Sequence, residues 1–170
     1  KHFEREVDAV IVDTALLAKQ PVRLLLAGVF DALAKFIEIK QRFTEETKDY
    51  PIGLNYAYTM AKASYALLTG ITDKCIRDLE KGEITQDVEN VIFTSIAATG
   101  VISGVARGSN QSALAHRFYE TTRTLYPERA KPYLHGEIVG VGLLLQNHFN
   151  GEEANNAALR ELMKRHNMPC

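Results

Sequence analysis

Asp31, His116 and His135 are the side chains of this sequence that could do chemistry together. Two neutral imidazoles and one carboxylate are a common ligand set for a catalytic divalent metal, and such a site keeps a position open for water or substrate. His135 stands where an apolar helix begins, in Tyr133-Leu134-His135-Gly136-Glu137-Ile138-Val139-Gly140-Val141-Gly142. A side chain leaving that first turn meets unpaired backbone N–H groups and an environment that favours polar ligands. The run behind it is apolar nearly all round, the pattern of a helix buried in a core. Each candidate also has a plainer reading. Asp31 serves equally as the N-cap of a helix, and the histidines as hydrogen-bonded structural residues. The three lie far apart along the chain and no short metal motif joins them, so spacing alone does not choose. His2 is terminal, and His148 and His166 fall near helix C-termini, where a cation is favoured. None of these three is assigned a role.

The elements that must carry the candidates read as helices. Pro21 opens one, filled by Val22, Leu24, Leu25 and Leu26 and stopped at Gly28. Asp31 starts the next, to about Arg42. Pro51 begins a segment with Leu54, Tyr56, Ala57, Met60, Ala61, Tyr65 and Leu68 on one face, stopped at Gly70. Thr72-Asp73 caps a short helix through Leu79, and Gly82 breaks it. Thr85-Gln86-Asp87 opens a long apolar helix to about Arg107. Its apolar window, Val91 to Val105, is too short to span a bilayer and reads as buried. Gly108-Ser109-Asn110 is a turn, and Asn110 or Ser112 caps the helix of Ala113, Leu114, His116, Phe118 and Tyr119. Pro127 and Pro132 bracket a loop. The His135 helix ends near Gly151, and an amphipathic helix from about Glu152 to His166 closes the chain. Val7 to Val12, a β-branched run, is the one strand expected, and it lacks a partner in the chain. The fold class is all-α, a bundle of roughly seven helices with one remnant strand.

The 170 residues suffice for one domain with a sizeable core. With 20 basic and 21 acidic residues there is no general attraction to nucleic acid or to an anionic membrane. Cys75 and Cys170 form neither a metal-spaced pair nor a disulfide framework, which fits a reduced, cytoplasmic setting. The N-terminus carries no apolar signal region.

Three stretches carry a resemblance: Asp8-Ala9-Val10-Ile11-Val12-Asp13-Thr14, Ala18-Lys19-Gln20-Pro21-Val22-Arg23-Leu24-Leu25-Leu26-Ala27-Gly28, and Asp31-Ala32-Leu33-Ala34-Lys35. With Ala113-Leu114-Ala115-His116 and Leu134-His135-Gly136-Glu137-Ile138-Val139-Gly140, they resemble the iron-containing (group III) alcohol dehydrogenase superfamily, in its glycerol dehydrogenase branch. The resemblance covers essentially the whole chain but only the C-terminal half of a family member. It implies a dehydroquinate synthase-like C-terminal helical domain and a metal held by Asp31, His116 and His135. It also implies NAD(P)-dependent oxidation of a small alcohol or polyol to a ketone or aldehyde by hydride transfer, the metal stabilising the alkoxide. Residues 1–20 then read as the last strand and linker of a nucleotide-binding domain, and 21–170 as the metal-binding domain, truncated at its C-terminus. No glycine-rich phosphate loop is readable here. The dinucleotide-binding residues are therefore assigned to the missing domain, and the chain alone is expected to be inactive. An exposed cleft and a cut strand would invite a homo-oligomer.

The chain departs from the family pattern in three places. Phe30 stands where the family usually has glycine before the aspartate, which puts the local loop and substrate access in question. Lys35 replaces a histidine of the iron-using members, and Tyr119 a further histidine of many relatives. The reduced set resembles the zinc-using members, so Zn²⁺ is favoured with Fe²⁺ as the alternative. Dehydroquinate synthases carry glutamate in place of Asp31, which favours the dehydrogenase branch. The competing reading is a non-catalytic helical scaffold or oligomerisation domain that lacks its cofactor half.

Overall fold

A computed structural model describes residues 8–42, 50–106 and 113–170. Among these residues all regular structure is helical, as expected for an all-α chain. The strand expected over Val7 to Val12 is not found. Val7 lies outside the described residues, 8–12 form no regular element, and Ile11 is almost fully exposed. A β-branched run becomes a strand only when another strand takes up its backbone N–H and C=O groups, and no such partner exists among the described residues.

After a single turn, α1 (Thr14–Leu17), capped by the Asp13 carboxylate accepting from Leu16 N–H at 3.0 Å, comes α2 (Val22–Ile39). The sequence suggests two helices parted at Gly28; the structure has one. A glycine ends a helix by turning left-handed, as Gly82 (φ 76°) and Gly151 (φ 73°) do, whereas Gly28 keeps the helical course. Asp31 is consequently a mid-helix residue and not an N-cap, and its plainer explanation falls away. In the same way α3 (Ile52–Glu80) runs straight through Gly70. Thr72 caps nothing; its hydroxyl donates to the Leu68 carbonyl at 2.6 Å, one turn back.

The long apolar helix comprises α4 (Gln86–Phe93), a π-helical stretch (Thr94–Ala98) and α5 (Thr99–Ala106). Its 21 residues are enough to cross a membrane by length and composition, contrary to the shorter window expected. It is also only half a core helix. Val88, Val91, Ile92, Ile102 and Ala106 are buried, while Phe93, Ile96 and Val101 face outward. α6 (Leu114–Leu125) follows, then a short α7 (Pro127–Ala130) within the segment expected as loop, then α8 (His135–Phe149) and α9 (Asn156–Arg165). The turn at 108–110 and the caps Asn110 and Ser112 lie outside the described residues.

α2 is the axis of the core. Phe30, Leu33 and Ile37 meet Leu68 of α3, Val91 of α4, Val139 and Leu143 of α8 and Met163 of α9. A second cluster joins Phe36 and Ile39 to Leu54, Ala57 and Ala61 of α3 and Ile102 of α5. Glycines on α8 set how close its neighbours come. A Cβ on Gly136 would strike the Ala27 backbone of α2, and one on Gly142 would lie 2.8 Å from Ala115 of α6. Gly140 faces the Phe30 ring, 3.2 Å from where its Cβ would be. Phe30 therefore perturbs no loop. Successive helical residues point about 100° apart, so Phe30 fills the core while Asp31 turns away from it. Its full burial is worth about 1.5–3 kcal/mol. Cys75 is buried, and burial, reinforced by Asp78 and Asp87, pushes its thiol up to about 11; Cys170 is exposed.

Candidate metal centre

Three helices deliver the three candidate side chains to one place: α2 brings Asp31, α6 brings His116 and α8 brings His135. Each helix is fixed near its contribution. At the start of α8 the Glu137 carboxylate accepts from the Leu134 N–H at 2.8 Å, filling one orphan donor of the first turn. Arg23, from the first turn of α2, forks onto that carboxylate at 2.5 and 2.7 Å and also donates to the Pro132 carbonyl at 2.8 Å. The Arg23 guanidinium holds the buried Glu137 carboxyl below its ordinary range against the opposing effect of burial. The first turns of α2 and α8 are thereby clamped together, with His135 between the two clamped residues Leu134 and Glu137.

The start of α6 is held from a distance. Ala113 at its N-cap has no side chain to offer, and the orphan N–H groups are taken by other helices. Leu114 N–H donates to Gln146 Oε1 of α8 at 2.8 Å, and His116 N–H donates to Glu38 Oε1 of α2 at 2.9 Å. Both acceptors are completely buried. The first turn of α6 is thus capped by side chains from two other helices.

The three candidates meet. Asp31 Oδ1 lies 3.0 Å from His135 Nε2 and 3.2 Å from His116 Nε2, and one donor atom from each residue falls within 4.8 Å of the others. The imidazole centroids are 5.4 Å apart, and the Tyr119 ring meets His135 edge-on at 4.2 Å. A tetrahedral zinc ion with bonds of about 2.0–2.1 Å separates its ligand atoms by about 3.3 Å. Two of the three edges, 3.0 and 3.2 Å, lie close to that separation, and the third, between the two histidines, is within 4.8 Å. One carboxylate and two imidazoles also match the borderline chemistry of zinc.

Without a cation the groups pair with one another. Burial raises the Asp31 carboxyl, but hydrogen bonds from both histidines outweigh it and hold Asp31 far below the usual carboxylate range. Burial likewise lowers His116, and its bonds to Asp31 and Glu38 overcome this and lift it to about 9. A raised folded pKa stabilises fully below the unfolded value of about 6.5 and is lost as pH rises through the folded one. The metal-free chain should thus lose thermal stability from about pH 6.5 to 9, and a His116→Gln variant should lose less over that window. Equal pH profiles for the two would show that the His116 pairing contributes nothing.

Sequence reasoning missed Glu38, Gln146 and Arg23. Glu38 had a signal: it stands seven residues after Asp31, two turns on along the same face of α2. Lys35, between them on that face, is half-buried.

No protein-family model matches the chain. It is 33% identical over 143 residues to a glycerol dehydrogenase of Thermotoga maritima, covering 82% of this chain and 37% of that protein. Hydroxycarboxylate dehydrogenase A of Escherichia coli is 27% identical over 171 residues, covering 99% of this chain and 46% of that protein. The crystal structure of a probable glycerol dehydrogenase from Sinorhizobium meliloti superposes with a TM-score of 0.78 at 27% identity, over 95% of this chain and 45% of the other. These relatives are named dehydrogenases, and the chain shares its helical fold with one of them. The chain is a homologue of the glycerol dehydrogenases within the iron-containing alcohol dehydrogenase superfamily. It spans less than half the length of these relatives.

Proposed function

We propose that Asp31, His116 and His135 hold one divalent cation, zinc in preference to iron. On this reading the chain is the metal-binding part of an NAD(P)-dependent dehydrogenase acting on a small alcohol, a polyol or a hydroxy acid. The observation that carries the proposal is the convergence of Asp31 Oδ1 on both Nε2 atoms, within 3.0 and 3.2 Å, from three separate helices. Lys35 and Tyr119 stand where further histidines would suit iron, and this supports zinc. A cation bound there would act as a Lewis acid toward a substrate hydroxyl.

The chain's own residues supply the rest. Asp31 contributes one negative charge and the neutral histidines none, so the site keeps the positive charge that a departing hydroxyl proton requires. His135 and Asp31 remain half-open to solvent, and substrate approaches from that side. The buried face behind His116 is closed by Glu38. The Tyr119 ring limits how His135 can rotate. We assign residues 1–20 to the end of a nucleotide-binding domain and 21–170 to the metal-binding one.

Two measurements test this. Zinc loading followed by desalting and elemental analysis should leave one zinc per chain, and a metal-free chain would overturn the site. Joined behind the N-terminal half of the Thermotoga maritima relative, the chain should support zinc-dependent, NAD(P)-linked oxidation of glycerol, a diol or a hydroxy acid. A fusion that folds and holds zinc yet oxidises none of them would refute the dehydrogenase reading.

A further inference from the structure

Glu38 is completely buried, two turns beyond Asp31 on the same face of α2. A carboxylate taken out of water costs several kcal/mol unless other groups compensate it. Among the described residues its compensation comes from His116. Glu38 Oε1 accepts the His116 backbone N–H at 2.9 Å, and Oε2 lies 2.8 Å from the ring Nδ1. The opposite ring nitrogen, Nε2, faces Asp31. We infer that Glu38 is the positioning residue of the candidate metal site, a carboxylate that fixes both the tautomer and the ring orientation of His116 so that Nε2 is the atom presented to a cation.

The two contacts act differently. The backbone contact anchors the first turn of α6 and sets where the imidazole starts. The ring contact keeps a proton on Nδ1, because an ionised carboxylate can only accept. With Nδ1 protonated, the lone pair of the neutral ring is on Nε2, the atom that points toward Asp31 and His135. An outer hydrogen bond of this type also makes the ligating nitrogen more basic, and its loss costs about 10–100-fold in metal affinity in other sites. No such partner is needed to explain His135, which leaves the first turn of α8 already aimed by the Arg23–Glu137 clamp. The inference rests on the metal reading proposed above.

Glu38→Gln is the informative variant, because it keeps the shape of the side chain and changes its charge, donors and acceptors. Its single oxygen can serve the backbone N–H or the ring, not both. If the oxygen stays on the backbone, the amide NH₂ faces Nδ1 and moves the ring proton to Nε2, the tautomer that cannot ligate through Nε2. Glu38→Ala removes both contacts. The probe is Zn²⁺ itself, titrated into the full chain against a competing chelator, with ¹⁵N shifts of the His116 ring recorded on the same samples.

Both variants should bind zinc about 10–100-fold more weakly than the wild type. In the zinc-loaded wild type, His116 should show a protonated Nδ1 and a metal-bound Nε2, and Glu38→Gln should disturb that pattern. Helicity by circular dichroism identifies a Glu38→Ala chain that fails to fold, and Glu38→Gln then carries the test alone. A wild type that binds zinc, with a Glu38→Gln variant of equal affinity and an unchanged His116 pattern, overturns the role of Glu38 and leaves the site standing. A wild type that takes up no zinc overturns the site itself and this role with it.

Discussion

His135→Ala should reduce the zinc affinity of the chain by more than about 100-fold, because losing an outer hydrogen-bond partner already costs 10–100-fold and this change removes a ligand. The remaining pair, Asp31 and His116, would still approach within 3.2 Å and would revert to a plain ion pair. The loss reads out as stability as well as stoichiometry. A ligand at 100 times its dissociation constant stabilises the folded state by about 2.7 kcal/mol. For a chain of this size that corresponds to a rise in Tm of about 5–10 °C. Zinc should therefore raise the Tm of the wild type by that amount and leave His135→Ala unmoved. The variant should fold without metal, since the His135 side chain is 42% exposed and supports none of the core. His148→Ala is the control: that imidazole is exposed and, among the described residues, paired with Glu153, 3.1 Å away, and its loss should change neither number. An unaltered zinc-induced shift in His135→Ala would remove the proposed site.

The helical nature of the chain was legible in the sequence, and the meeting of Asp31, His116 and His135 was legible through the family resemblance; the lengths of several helices and the props of the site were not. Helical periodicity and the prolines at 21 and 51 locate helix starts, because those signals are local. The misreadings at Gly28 and Gly70 share one cause. A glycine in a helical pattern is either a stop or a place where nothing needs a side chain, and only the backbone dihedral of the folded chain separates the two. The strand expected over Val7 to Val12 is not seen at 8–12 for a related reason, since a strand is a property of a pair and its partner was expected outside this chain. The helix at Leu114 was expected, but its distant caps were not, because Gln146 and Glu38 sit 32 and 78 residues from the groups they satisfy. The burial of Glu38 and the pairing of Arg23 arise only when α2 packs against α6 and α8. Phe30 was read by its bulk and its place beside Asp31; its compensation, Gly140, lies on another helix.

Gly136→Ala should be the most damaging single methyl group in the chain. In an open helix the change is favourable by up to about 1 kcal/mol, because alanine loses less backbone entropy and shields the helix. Gly70 is such a place: no atom lies within 4 Å of a Cβ built there, so Gly70→Ala should gain about 0.5–1 kcal/mol. At Gly136 the same methyl would overlap the Ala27 carbonyl, 2.5 Å from its carbon and 2.9 Å from Ala27 Cα. Those atoms are the backbone of α2 and cannot rotate away, so the helices must separate. Separation opens the tightest part of the α2–α8 packing and strains the Arg23–Glu137 clamp beside it. Overpacking costs about 1–3 kcal/mol even where side chains can adjust, so a backbone collision should cost about 3 kcal/mol or more. Urea unfolding of the two variants should move the midpoints in opposite directions. The site should suffer as well, because Ala27 is one turn before Asp31 and Gly136 follows His135, so parting these backbones draws the carboxylate away from Nε2. Any Gly136→Ala protein that still folds should bind zinc more weakly than the wild type. A Gly136→Ala chain as stable as wild type and as tight for zinc would mean that α2 and α8 do not cross this closely, and the 3.0 Å approach of Asp31 to His135 would lose its structural basis.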